Sequence, residues 1–155
     1  MAPTTRRRLL AGSVLGAALS LAGCTFTNPI ETLEPYAASD GTRLELADGI
    51  RLENVLVLSE AEGAEGHVLG AAVNSTTEPV EITFSVEGEP ELVVVVEPDE
   101  MLNLSDEGLV VESTPAPPGG MVSTTVSTPQ HGAVPLPVPV LDGTLSQYDE
   151  HVPER

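Results

Sequence analysis

The chain has 155 residues, 24 Asp and Glu against six Arg, no Lys, and a formal net charge of −18. So acidic a chain excludes a phosphate-backbone binder, and the lack of Lys excludes lysine chemistry. A single Cys excludes an internal disulfide framework and any multi-cysteine zinc site.

The first 23 residues read as an export signal that ends before Cys24. Arg6, Arg7 and Arg8 form a cationic block, and Leu9 to Ala22 follow without a charge. The stretch is short for a transmembrane span, and no run of roughly 18 apolar residues occurs later in the chain. Leu21-Ala22-Gly23-Cys24 resembles a bacterial lipobox. That resemblance implies cleavage before Cys24 and diacylglycerol on its thiol, often with a further acyl chain on the new amine. Two or three chains anchor stably where one binds marginally, at ~0.8 kcal/mol per buried CH₂. Thr5-Arg6-Arg7-Arg8-Leu9-Leu10 also resembles a twin-arginine signal, and the export route stays open. Cleavage leaves three Arg against all 24 acids, a net charge of −21. Residues 24–40 then form a tether, with Pro29, Pro35 and no apolar period. A flexible segment of that length spans ~20–25 Å root-mean-square.

From Gly41 the pattern is strands and turns. Thr42–Leu46 alternates up to a turn at Asp48-Gly49. In Ile50–Leu58 the residues Ile50, Leu52, Asn54, Leu56 and Leu58 share one face by strict alternation. Val55 and Val57 make the second half apolar on both faces, as in a central strand. Glu60 to Gly66 is an acidic loop. His67–Asn74 is a third strand, and Asn74 to Pro79 a polar turn. Val80, Ile82, Phe84 and Val86 alternate inward against Glu81, Thr83 and Ser85. Leu92–Val96 is a continuous apolar run, buried or at an interface. Met101–Leu104 and Leu109–Val111 are shorter candidates. Pro115 to Gly120 is a corner before Met121–Thr128. His131–Leu141 interleaves Val134, Leu136, Val138 and Val140 with Pro135, Pro137 and Pro139. Prolines cannot donate to a ladder, so this is an edge strand or extended segment, free on its proline side. Residues 144–155 read as a polar, frayed tail.

Seven or so short strands with no helical period predict an all-β, immunoglobulin-like sandwich over residues 41–143. It follows a signal peptide (1–23) and a tether (24–40). The core rests on Val, Leu, Ile and Phe84, without the Cys pair or core Trp of antibody domains.

Gly49-Ile50-Arg51-Leu52-Glu53-Asn54-Val55-Leu56-Val57, Gly70-Ala71-Ala72-Val73-Asn74, Pro117-Pro118-Gly119-Gly120 and Pro137-Val138-Pro139-Val140-Leu141, placed after a lipobox, resemble actinobacterial lipoproteins of the LpqE-like type. That group is in turn distantly similar to periplasmic copper chaperones of the PCuAC type, which the resemblance implies are β-sandwiches handing on Cu(I). Cu(I) favours thioether and imidazole ligands. The chaperone pattern ends in a His-x-Met pair, and this chain has none: Ala133 stands two after His131, and Leu69 two after His67. The nearest approach to a metal set is Met101, Met121 and His131. Met101 reads better as core filler than as a ligand. His67 and His131 read as ordinary solvated histidines.

No nucleophile motif, phosphate loop or cofactor signature is present, so no enzyme and no cofactor is expected. Asn103, Ser105, Asp106 and Glu107 cluster in one loop but lack a calcium-loop pattern. Asn74-Ser75-Thr76 fits a glycosylation triplet by chance. The expectation is a non-enzymatic lipoprotein on the extracytoplasmic face of a cell membrane, held by Cys24. It would bind another envelope protein or complex and no nucleic acid. The alternative is a copper-handling lipoprotein.

Overall fold

The computed structural model describes residues 39–148 and 151. The signal peptide, Cys24 and nearly all of the tether lie outside the described residues, as do 149, 150 and 152–155.

The described chain is all-β. Its nine strands are β1 (Thr42–Ala47), β2 (Ile50–Ser59), β3 (Gly66–Asn74), β4 (Val80–Val86), β5 (Leu92–Val96), β6 (Glu100–Asn103), β7 (Val110–Val111), β8 (Met121–Thr128) and β9 (Gly132–Leu141). One 3-10 turn, Leu104–Asp106, follows β6. Among the described residues no helix is long and apolar enough to cross a membrane.

Hydrogen bonding runs along one path, β5-β4-β8-β9-β2-β3-β6, with β1 added on β2 and β7 on β3. The path folds over on itself into a nearly closed sandwich. Alternation explains the shared interior: Val80, Ile82, Phe84 and Val86 of β4, Val94 and Val96 of β5, and Val122 and Val126 of β8 meet Ile50, Leu52, Val55, Val57, Val68 and Ala72 from β2 and β3. Phe84, Leu52 and Ile82 are among the largest fully buried side chains.

β9 joins the two halves, which corrects its reading as an edge strand. Along Gly132–Pro139 it pairs antiparallel with β8, Thr124 opposite Leu136 and Ser123 opposite Pro137. Its last residues then pair in parallel with β2, Val57 with Val140 and Leu58 with Leu141. The proline side does behave as proline chemistry requires. No strand among the described residues ladders onto it before Val140, and the Thr42 hydroxyl donates to the Pro137 carbonyl at 2.9 Å.

β2 departs from strict alternation. Asn54 has φ +53°, and the register with β3 slips between Glu53 and Leu56. This bulge adds a residue, so the side chains change face. Ile50 and Leu52 enter the main core before it, and Val55 and Val57 after it. Leu56 and Leu58, expected on the face of Leu52, project to the other side. There they form a second cluster with Leu69 and Tyr148.

Tyr148 therefore corrects the frayed tail at its one aromatic residue. It is 7% exposed. Its hydroxyl donates to Asp40 Oδ2 at 2.8 Å, and Gln147 Nε2 donates to the same oxygen at 3.0 Å. Burial, helped by the Asp40 carboxylate, holds the Tyr148 phenol above its ordinary titration range. Tyr148→Phe is expected to cost about 1 kcal/mol in a urea titration. A raised native pKa gives stability that is whole below the ordinary tyrosine pKa of ~10 and is lost as pH rises through the shifted value. Alkaline unfolding should accordingly be shallower in Tyr148→Phe than in the parent chain.

Among the described residues two buried hydroxyls, those of Thr114 and Thr124, have no partner. Thr124, 5% exposed, faces inward on β8 between Val86 and Leu136, and its Oγ1 makes no hydrogen bond. Replacing it with Val removes an unpaired polar atom while keeping the branched shape. Thr124→Val should raise stability by about 1 kcal/mol, read as a higher denaturation midpoint.

Candidate functional site

The three residues nearest to a metal set are not brought together. Met121 opens β8, and His131 lies in the turn beyond its far end. At ~3.3 Å per strand residue the two stand more than ~20 Å apart. Met101 sits on β6, paired with Val73 at the opposite limit of the hydrogen-bonded path from β5. It is 72% exposed, so its reading as core filler is also corrected. His131 is exposed. His67 is half-buried, its Nδ1 3.0 Å from the His151 carbonyl and its Nε2 3.5 Å from Glu65 Oε1. Among the described residues no three His, Cys, Asp or Glu cluster in a way that could hold a metal.

The polar groups of the Asn103 loop serve the chain itself. Asn103 Oδ1 accepts from the Ser105 amide at 3.3 Å, and Asn103 Nδ2 donates to Asp106 Oδ2 at 3.0 Å. These bonds cap the 3-10 turn that carries Leu104 into the core. Asn74, the first residue of the glycosylation triplet, is 1% exposed. Its Nδ2 donates to the carbonyls of Glu78, Val96 and Glu97 at 2.7, 3.0 and 3.2 Å. Its Oδ1 accepts from the Thr76 amide and hydroxyl at 2.9 and 2.7 Å. This is a structural centre with no capacity left for a ligand.

An open notch of about 300 Å³ lies beside the β2 bulge, lined among others by Asn54, Leu69, Asn103, Gln147, Tyr148 and His151. Part of its polar wall is already committed: Asn54 Oδ1 accepts from the Gly41 amide at 2.7 Å, and Gln147 and Tyr148 hold Asp40.

The distinctive surface is the outer face of the β5-β4-β8-β9 sheet. Alternation sends Val93 and Val95 outward from β5, and Glu81, Thr83 and Ser85 from β4. Met121, Ser123, Thr125 and Ser127 follow from β8, and Ala133, Pro135, Pro137 and Pro139 from β9. In so acidic a chain, Glu81 is the single charged residue among them. A shallow depression of about 470 Å³ crosses the face between Ser85, Ser123, Thr125, Pro135 and Pro137, with Glu87 at its rim. Val93, Val95 and Met121 are each about half exposed or more.

The acids crowd the turns around this face instead. Glu87, Glu89 and Glu91 lie between β4 and β5, Glu97 and Asp99 between β5 and β6, and Glu100 opens β6. The two Arg among the described residues stand on the other sheet and share one acid, Arg43 Nε at 3.3 Å and Arg51 Nε at 3.0 Å from Glu53 Oε1. The field around the neutral face is therefore negative and uncompensated. Sequence reading missed this face because Leu92–Val96 looked uniformly apolar. The signal was there in the matching phases of Glu81-x-Thr83-x-Ser85, Ser123-x-Thr125-x-Ser127 and Pro135-x-Pro137-x-Pro139, which only the pairing register places side by side.

No family model matches this chain, and no curated protein matches it. A solved structure described as a copper-bound PCuAC domain from PmoF2 is similar, at 16% sequence identity and a TM-score of 0.49, over 64% of this chain and 97% of that one.

Proposed function

We infer that the protein is a non-enzymatic binding module of the cell envelope, lipid-anchored at Cys24 on the extracytoplasmic side of a membrane, and that it recognises another protein through the outer face of the β5-β4-β8-β9 sheet. The anchor rests on the Arg6–Arg8 block and the Leu21-Ala22-Gly23-Cys24 ending. The recognition role rests on one observation: the outward positions of these four strands carry Ser, Thr, Pro and Val with Glu81 as their one acid, while Glu87 lines the depression, the Glu91 carboxylate accepts from Ser85 Oγ at 3.4 Å, and further acids stand at both ends of β5. Such a face can be desolvated without stripping water from charges, whereas its rim would steer a basic partner. Copper handling draws no support from side-chain placement, since Met101, Met121 and His131 cannot share an ion.

Two measurements test the reading. Cys24→Ala should release the chain from the membrane fraction into the soluble extract; retention at high salt would sink the anchor. Affinity capture from detergent-solubilised membranes should retrieve a partner with the parent chain. The Thr125→Glu variant, which puts a carboxylate in the middle of the face, should lose it. Equal recovery by both would place recognition elsewhere.

A further inference from the structure

The neutral face ends at β5, and β5 has one side without a strand. It pairs with β4 from Val80–Val96 to Phe84–Leu92, and no other strand among the described residues pairs with it. Apart from that ladder, the hydrogen bond made to its backbone is Asn74 Nδ2 to the Val96 carbonyl. The strand is short and bounded chemically. Pro90 and Pro98, which cannot donate, stand just outside it, and Glu91 and Glu97 flank Leu92–Val96. Val93 and Val95, 49% and 52% exposed, show the outward side of a β-branched run. An open strand edge with such residues is a template for strand addition.

We propose that the free edge of β5 receives one extended segment of a partner protein, a run of about five residues rich in β-branched side chains with Lys or Arg at both ends. This rests on the binding-module reading and names the mode and chemistry of the partner. Charge selects the occupant. A second copy of β5, added antiparallel about Val94, would set Glu91 against Glu97 at both ends of the pair, and like charges directly opposed destabilise a sheet. A segment with basic ends meets the same two acids favourably. They stand ~20 Å apart along the strand, the span of about six residues. Glu81, on β4 opposite Val95, adds a third carboxylate on the same outward face. Acids at both ends also keep the edge from pairing with further copies of itself, which an exposed Val run would otherwise invite.

The test uses the full chain in detergent and a fluorescent cyclic hairpin peptide whose outer strand reads Lys-Thr-Val-Thr-Val-Thr-Lys, pre-shaped so that ordering does not consume the binding energy. A matched peptide with Glu at both ends is the control. Saturable binding of the Lys peptide is expected, at least tenfold tighter than the Glu peptide and weakening as salt rises. Amide exchange should slow in 92–96 on binding. The double variant Glu91→Gln with Glu97→Gln should erase most of the preference. Val95→Lys, at an exposed position, should lose binding tenfold with an unchanged circular dichroism spectrum, and Val93→Lys is the second variant should the first misfold. Equal binding of the two peptides, unchanged exchange in 92–96, or self-association of the chain through β5 would each overturn the proposal. If the Lys peptide fails while membrane capture still retrieves a partner, the edge proposal falls and the binding-module reading stands. If capture fails as well, both fall.

Discussion

Asn74→Ala should lower unfolding stability by about 2–4 kcal/mol, seen as a shift of the urea midpoint at constant slope. The size follows from how many groups one side chain satisfies. Its amide nitrogen serves the carbonyls of Glu78, Val96 and Glu97, and its oxygen serves Thr76 twice, all at a residue 1% exposed. Truncation leaves carbonyls buried without donors and unties the β3–β4 turn from the end of β5. Asn74→Asp tests the same point with nearly the same volume. It keeps the acceptor for Thr76 but turns a carboxylate oxygen toward three carbonyls, so it should cost at least as much at neutral pH. The penalty should ease as pH falls and the acid gains a proton to donate. If Asn74→Asp proved neutral at pH 7, the donor role assigned to Nδ2 would be wrong.

Gly70→Ala should cost about 3 kcal/mol, from two sources that act together. Gly70 has φ +134°, which side-chain-bearing residues seldom adopt. A methyl group there would also lie 2.9 Å from the Asn54 carbonyl oxygen and 3.0 Å from Val55 Cα, both rigid backbone. The opposing side of the same bulge is as tight: a methyl on Gly41 would come within 2.5 Å of that carbonyl oxygen. Two glycines thus close on Asn54 from both sides, and Gly41 donates to its side chain. Because both clashes meet one peptide unit, the Gly41→Ala, Gly70→Ala pair should be non-additive. A double-mutant cycle returning simple addition would count against a shared cause.

Much of the architecture could be read from period alone. β4 shows its inward set of Val80, Ile82, Phe84 and Val86 without ambiguity, and the Pro/Gly corner at 115–120 precedes β8 as expected. What escaped reading has common physical grounds. The bulge at Asn54 shifts the phase of β2 by one residue, and a sequence of alternating apolar residues looks the same whether or not the count slips. Leu56 and Leu58 were apolar in either case; only the structure shows which core each enters. Tyr148 stood alone among polar neighbours, and a lone aromatic carries no period. The proline strand was legible as unable to pair on one side, but its final two residues pass beyond the prolines and pair with β2. Met101 shows the converse: apolar composition suggested burial at a position the strand turns outward. Met121 and His131 lie apart because ten residues that run mostly along one extended strand separate them.

The Tyr148–Asp40 contact has a topological corollary. A residue just before β1 and one just after β9 share a hydrogen bond of 2.8 Å, so the two ends of the strand set are already stitched side by side. A short bridge from Tyr148 to Asp40 would make the domain a closed loop of polypeptide. That loop could be reopened between Pro129 and Gln130, both exposed in the β8–β9 turn, without breaking a strand. The order in which the strands are strung would change, and the sandwich would not.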